Sequence, residues 1–239
     1  MSGLLDEVLS SHGGFGRWRK IEKIEAGASI YGALWIRKGH GDALRGVHIT
    51  AKPREQWISY SPFKGEGKRS VHTPSRTVIE DTKGKVLEAR DNPRAAFDGH
   101  TAESKWDDLH LAYFSGYAMW NYLTVPFTFA LPGFQSQEIE AWHENNETWR
   151  RLRVSFPDSV ATHCREQIFY IDPRGLIARM DYGATVTGGV PTAHYLLDHR
   201  NFDGIVLPTR RRALRRNADG SAVPEPVFVA IDFDDIRFS

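Results

Sequence analysis

The sequence predicts an α+β fold: a strongly curved antiparallel β-sheet, an incomplete barrel of about a dozen strands, with two or three helices plugging its concave side. Three observations predict it. Short runs rich in β-branched and aromatic residues alternate with Gly, Pro, Asn and Asp turn signals along most of the chain, which suits a meander or barrel rather than βαβ units. Several runs are apolar on both faces. In Glu166–Ile171, Ile168 and Tyr170 occupy one face while Phe169 and Ile171 occupy the other, and Val227–Ile236 behaves alike. An antiparallel sheet with one wet face alternates cleanly, so here both faces are covered or one lines a cavity. Finally, a helical segment from about Trp106 to Tyr122 is too apolar for a surface and supplies the missing layer.

The elements follow in order. Leu4, Leu5, Val8 and Leu9 form an apolar helical stripe that His12-Gly13-Gly14 stops. Phe15–Lys20 makes a second short turn anchored by Trp18. Ile21–Arg37 reads as a strand with bends at Gly27 and Gly32. Shorter strands are expected at Arg45–Ala51, Gln56–Tyr60, Ser70–Thr73, Arg76–Asp81 and Lys85–Arg90. After the apolar helix they resume at Glu138–His143, Thr148–Phe156, Glu166–Ile171, Leu176–Tyr182, Ala193–Asp198, Gly204–Arg212 and Val227–Phe238. Asp172-Pro173-Arg174-Gly175 and Asn217-Ala218-Asp219-Gly220 are turn chemistry. Linkers are short, so one continuous domain over 1–239 is expected.

Composition narrows the function. The 239 residues are 41% hydrophobic and 26% charged, which excludes disordered, collagen-like and coiled-coil chains. Thirty-one basic against thirty acidic residues, a formal charge of +1, argue against a nucleic-acid partner. The single Cys164 excludes an internal disulfide and multi-cysteine metal sites. Met1–Leu9 has neither a basic n-region nor a long apolar run, so a cytoplasmic location is expected. Leu111–Gln137 carries no Asp, Glu, Lys or Arg, yet Ser115, Gly116, Asn121, Pro126 and Pro132 interrupt it and no Lys/Arg cluster flanks it. A buried helix followed by an apolar loop or strand is therefore expected rather than a membrane span.

Several phrases carry a resemblance. His12-Gly13-Gly14 before Arg17-Trp18-Arg19-Lys20, the hairpin Phe169-Tyr170-Ile171-Asp172 with Gly175–Tyr182, and the Asp203-Gly204-Ile205-Val206-Leu207-Pro208 run resemble lipoprotein-carrier-like chains. The whole chain, including Tyr113–Tyr122, is similar to a group of uncharacterised bacterial proteins. The wider fold it resembles is the LolA/LolB-like half-barrel. The resemblance implies helices over the mouth of the sheet and a concave apolar face that carries a lipid or lipid anchor in characterised members. This chain shows neither a signal sequence nor a lipobox cysteine near its start, so the resemblance carries over the cavity rather than the cargo.

The candidate site residues come from the apolar helix and the central strands. Tyr113, Tyr117 and Trp120 share a helical stripe. They are expected to face Trp57, Tyr170, Tyr182 and His194 on the sheet across a cavity of a few hundred cubic ångströms, the usual size of a small-ligand site. Tyr and Trp join apolar area to a polar tip, which suits an apolar or amphipathic ligand, and plain core packing is the competing reading. His194 and Asp198 are expected to share a strand face near Tyr182, an imidazole, a carboxylate and a phenol usable for acid–base chemistry. His194 and His199 fall on opposite faces, and no third ligand has metal spacing, so neither metal nor cofactor is expected. His163 beside Cys164 does not make a nucleophile–base pair, because neighbours on a strand point apart. The five arginines of Arg210–Arg216 read as an exposed hairpin arm opposite Asp232, Asp234 and Asp235.

The leading expectation is a soluble binding module for an apolar or amphipathic, lipid-like small molecule, with no protein partner indicated. The alternative is an enzyme, an isomerase, cyclase or hydrolase, using His194, Asp198 and Tyr182 in the same cavity. A third reading is an interaction protein with a filled core.

Overall fold

The computed structural model describes residues 3–144 and 146–239. Helices α1 (Leu4–Ser11) and α2 (Phe15–Trp18) precede strand β1 (Ile24–Tyr31). Helix α3 (Ala33–Lys38) follows, and then β2 (Leu44–Lys52), β3 (Trp57–Ser61), β4 (Lys68–His72), β5 (Arg76–Asp81) and β6 (Val86–Asp91). Helix α4 (Asp108–Thr124) separates these from β7 (Gln135–Glu144), β8 (Glu147–Ser155), β9 (Glu166–Ile171) and β10 (Ile177–Gly183). The chain finishes with β11 (Pro191–Phe202), β12 (Ile205–Arg216), the short β13 (Ala222–Val223) and β14 (Val229–Phe238).

All fourteen strands belong to one antiparallel sheet in the order β6-β5-β4-β3-β2-β1-β14-β12-β11-β10-β9-β8-β7, with β13 paired to β12. The sheet is an open, curved half-barrel: β6 and β7 are its two edges. The early and late strands meet where β1 pairs β14, from Ile24 opposite Phe238 to Tyr31 opposite Ala230. A bulge falls at Gly27/Ala28 in that ladder, as the sequence predicts.

The fold class, most of the strand positions and the apolar helix agree with the sequence reading; among the described residues the strands number fourteen rather than about a dozen. One element differs in kind. The expected strand Ile21–Arg37 ends at Tyr31, and its last third is helix α3. Gly32 makes the break: its φ is +126°, and a Cβ there would lie 2.5 Å from the Phe228 carbonyl oxygen. The apolar stretch after α4 is a short 3₁₀ turn, Phe127–Ala130, not a strand.

Helix α4 is the centre of the molecule. Asp107 caps it: its carboxylate accepts from the His110 N–H at 2.8 Å, and its own N–H donates to His110 Nδ1 at 3.3 Å. Every residue from Leu109 to Thr124 is buried, which is what a helix apolar all round requires. Pro126 ends it by disfavouring helical backbone at Val125. Among the described residues no helix is long and apolar enough to cross a membrane.

Candidate functional site

Directly paired residues of neighbouring strands share a face of the sheet. Met180 pairs His194, His194 pairs Ala213, and Ala213 pairs Val229. Leu196 pairs Arg211, and Arg211 pairs Ile231. These residues form the inner face beneath α4, and two side chains among them are polar. Arg211 is 1% exposed and His194 is fully buried.

The two sit against a chain of aromatic polar groups. Tyr117 Oη lies 3.1 Å from His163 Nδ1, and Tyr122 Oη lies 2.7 Å from His163 Nε2. Tyr122 Oη is 3.3 Å from Tyr182 Oη, which is 3.2 Å from His194 Nδ1. The His163 and Tyr182 rings stack at 4.0 Å, 3° from parallel. Burial holds both imidazoles neutral: His163 falls to about 3 and His194 well below its usual value, with the charge of Arg211 adding to both. Burial raises Tyr122 to about 12 and Tyr182 well above the ordinary phenol value. Each neutral imidazole then carries one proton. Two proton orders make the same four bonds: Tyr117 donates to His163, His163 to Tyr122, Tyr122 to Tyr182 and Tyr182 to His194 Nδ1, or every bond runs the other way from His194 Nδ1–H and the Tyr117 proton is left over. In the first order the remaining His194 proton sits on Nε2, in the second Nε2 is a bare acceptor, and in both it has no partner among the described residues.

Arg211 has an unusual set of neighbours. Nη2–H donates to the Tyr122 carbonyl at 3.1 Å, Nη1 approaches the Met180 sulfur at 4.0 Å, and the guanidinium lies 4.4 Å from the Tyr122 ring centre. Its Nε–H has no partner. Burial lowers its affinity for the proton to about 10, so it stays charged at neutral pH. The basic run thus divides by strand alternation, contrary to the expectation of a wholly exposed arm. Arg212 pairs outward with Asp232 at 2.7 Å, whereas Arg211 turns inward.

Two apolar spaces adjoin this cluster. One of about 90 Å³ opens between α3 and the inner face of β12 and β14, lined by Leu34, Ala184, Ala213 and Phe228. A second, about 20 Å³, lies beneath α4 between Trp35, Met119, Tyr122 and Ile231. Phe114, Tyr182 and Val229 line both. Arg37 and Lys38 stand at the wall of the larger space. Lys38 Nζ donates to three carbonyls, of Thr101 at 3.1 Å, Ala102 at 2.8 Å and Ser104 at 2.9 Å, and so ties α3 to the segment before α4.

The residues singled out from sequence scatter. Tyr182 lines both spaces and His194 adjoins it. Tyr117 faces His163, not a void. Tyr113 packs on the His72 ring at 5.2 Å and receives Arg94 Nη1–H at 3.3 Å. Trp120 Nε1–H donates to the Lys52 carbonyl at 2.8 Å. Trp57 is half-buried, with the Lys52 ammonium 5.5 Å from its ring. Tyr170 is on the far face, where its hydroxyl donates to Asp181 at 2.7 Å and Arg179 covers its ring. Its strand neighbours there, Arg151 and Arg179, show the parity; Phe169, not Tyr170, pairs inward with Met180. The single large cavity expected between these side chains is therefore not formed. Asp198 does not join His194 and Tyr182 either. Its φ of +53° breaks the alternation, and its exposed carboxylate accepts from Thr209 and Arg200, both at 2.9 Å. Cys164 is half-buried, its thiol donating to the Glu166 carbonyl at 3.0 Å.

His163 and Arg211 were not anticipated. The signal for Arg211 was the alternation Leu207-x-Thr209-x-Arg211-x-Ala213, which places it on a face that is otherwise apolar or small. His163 and Cys164, read from sequence as strand neighbours, lie in a loop, and nothing in the sequence marks His163 as a partner of Tyr117 and Tyr122.

No protein-family model matches the sequence, and no curated protein matches it either. Solved structures do. The fold is similar to that of a DUF1329 family protein from Desulfovibrio piger, at 11% identity and a TM-score of 0.57 over 99% of this chain and 92% of that one. It is similar to a LolA superfamily protein from Nitrosomonas europaea, at 10% identity and a TM-score of 0.53 over 100% and 94%. A domain ascribed to outer membrane lipoprotein sorting in Vibrio parahaemolyticus gives 8% identity and a TM-score of 0.57 over 99% and 91%. The chain has the LolA-like fold.

Proposed function

We propose that the chain is a binding protein that holds an apolar or amphipathic, lipid-like small molecule between α4 and the concave face of the sheet. The observation that carries this reading is the pair of adjoining apolar spaces, confined to the side of α4 that faces β12 and β14. They are smaller than the roughly 300–1,000 Å³ of an occupied small-molecule site, so binding is coupled to an outward shift of α3 or α4, a minor open state that the ligand selects. The fold shared with a domain ascribed to lipoprotein sorting supports the reading. The acid–base alternative is disfavoured by the separation of Asp198 from His194 and Tyr182, which leaves the inner cluster without a carboxylate.

Organic extraction of the purified protein followed by mass spectrometry tests it. The expected result is a co-purifying lipid-like molecule, or uptake of a fluorescent acyl probe by the emptied protein. Absence of both overturns the proposal.

A further inference from the structure

A second buried arginine in this molecule shows what Arg211 lacks. Arg179 is also fully buried, but on the outer face. Its guanidinium donates to Asp181 at 2.7 and 2.9 Å, to Glu144 at 2.9 Å and to the Gly220 carbonyl at 2.6 Å. Charge and hydrogen bonds are both satisfied there. Arg211 is buried to the same degree, yet among the described residues it pairs with no carboxylate and leaves Nε–H unpartnered. Leaving a buried ion uncompensated is strongly destabilising, and an unpaired buried donor adds to the cost. An anion at this place would meet both deficits.

The surroundings say which anion. His194 and Arg211 are diagonal neighbours on adjacent strands of one face, since Leu196 is the direct partner of Arg211. In the first of the two proton orders His194 Nε2–H is a second donor without a partner, and an anion placed there selects that order. A buried positive charge with one free N–H, joined by the His194 donor in that proton order, fits a planar carboxylate, which a guanidinium matches well. Beside them runs the apolar track past Tyr182, Phe114 and Val229 to the opening at α3.

We propose that Arg211 and His194 receive the carboxylate of a single-chain amphiphile, whose tail lies along Phe114, Tyr182 and Val229 and leaves at α3. The proposal rests on the lipid-binding reading and specifies the headgroup and its orientation: acid end inward, tail end outward.

The test compares myristate with myristyl alcohol, which has the same chain and no charge, by titration calorimetry on the full chain. Wild type binds myristate at least tenfold more tightly. Arg211→Met, similar in length and apolar, loses that preference, keeps alcohol binding and melts no lower than wild type. His194→Phe, offered because it leaves the arginine in place, reduces the preference in part. A merely structural role for Arg211 in holding the Tyr122 carbonyl does not change the ratio between the two probes. Equal affinity of wild type for both probes overturns the headgroup assignment while leaving the lipid-binding reading standing, and so does a preference that survives in Arg211→Met. Failure of both probes to bind overturns both. The wild-type comparison decides the matter even if a variant does not fold.

Discussion

Helix α4 rests on two beds of unlike quality. Against β3, β4 and β5 the contact is close. Gly116 lets the helix approach until a Cβ there would lie 2.6 Å from the His72 Cβ. The Tyr60 hydroxyl donates to the Ser115 carbonyl at 2.8 Å, and the Trp120 indole donates to Lys52. Towards β12 and β14 the same helix leaves two spaces, a stacked histidine–tyrosine cluster and an arginine with no counter-ion among the described residues. Both beds are equally hidden from water, so burial alone does not distinguish them. What differs is the closeness of contact and the charge left over: the close bed leaves the neutral His72 Nε2 without a partner, whereas the other also leaves a charged guanidinium N–H. One bed holds the helix in place, and the other keeps volume and hydrogen-bonding capacity in reserve.

The largest expected effect joins the two beds. His72 in the close bed falls to about 3, His163 in the loose bed to about 3, and His12 and His199 near the α1 end to about 4, each because burial disfavours the imidazolium. An unfolded histidine titrates near 6.5, so below that pH the unfolded chain gains protons that the folded chain refuses. Stability is therefore full above about pH 6.5 and falls towards pH 4, by up to about 1.4 kcal/mol per pH unit for each histidine. Circular dichroism should show cooperative acid unfolding in that window, and a melting temperature flat across it would break the account. Replacing His72 or His163 by Gln should flatten the slope.

Next in size is Trp120→Ala. If the close bed is core and nothing else, the change costs roughly 3–5 kcal/mol in denaturant melts and leaves affinity for an acyl probe untouched. Loss of affinity out of proportion to stability would extend the binding site across α4. Gly116→Ala should cost about 1–3 kcal/mol, because the added methyl meets the His72 side chain and the helix must lift. The smallest effect has the opposite sign. Ala213→Val fills part of the larger space and should stabilise the chain by about 0.5–2 kcal/mol while weakening probe uptake, the trade expected where volume serves a ligand. Destabilisation by this change would show that the loose bed is as rigid as the close one.

These contrasts also explain what could be read in advance. Strands, turns and the apolar helix were legible because periodicity and Gly/Pro punctuation are local. Tyr113, Tyr117 and Trp120 were correctly placed inside, but Tyr113 and Trp120 turn to the close bed and Tyr117 to His163. A run apolar on both faces, such as Glu166–Ile171, does not say which face turns inward, and Tyr170 turned out. Asp198 was lost to one left-handed residue, a backbone choice that alternation does not reveal. Gly32 hid α3 for a related reason: its φ depends on the approach of Phe228, a residue far along the chain. Arg211 and His163 matter through neighbours drawn from α4, β10 and β11, and only the assembled sheet brings those together.

The seam between β1 and β14 governs the order of events in folding. Strands β1 to β6 form one run of successive neighbours and β7 to β12 another, but the two runs join only when Ile24–Tyr31 pairs with Val229–Phe238, some two hundred positions later. Contacts of such separation are made late and slowly. During synthesis each half can assemble its local hairpins, while α4, made between them, waits for the last strand before both its beds exist. The apolar helix is then the most aggregation-prone segment of the nascent chain, and the rate at which the seam closes sets how long it stays uncovered.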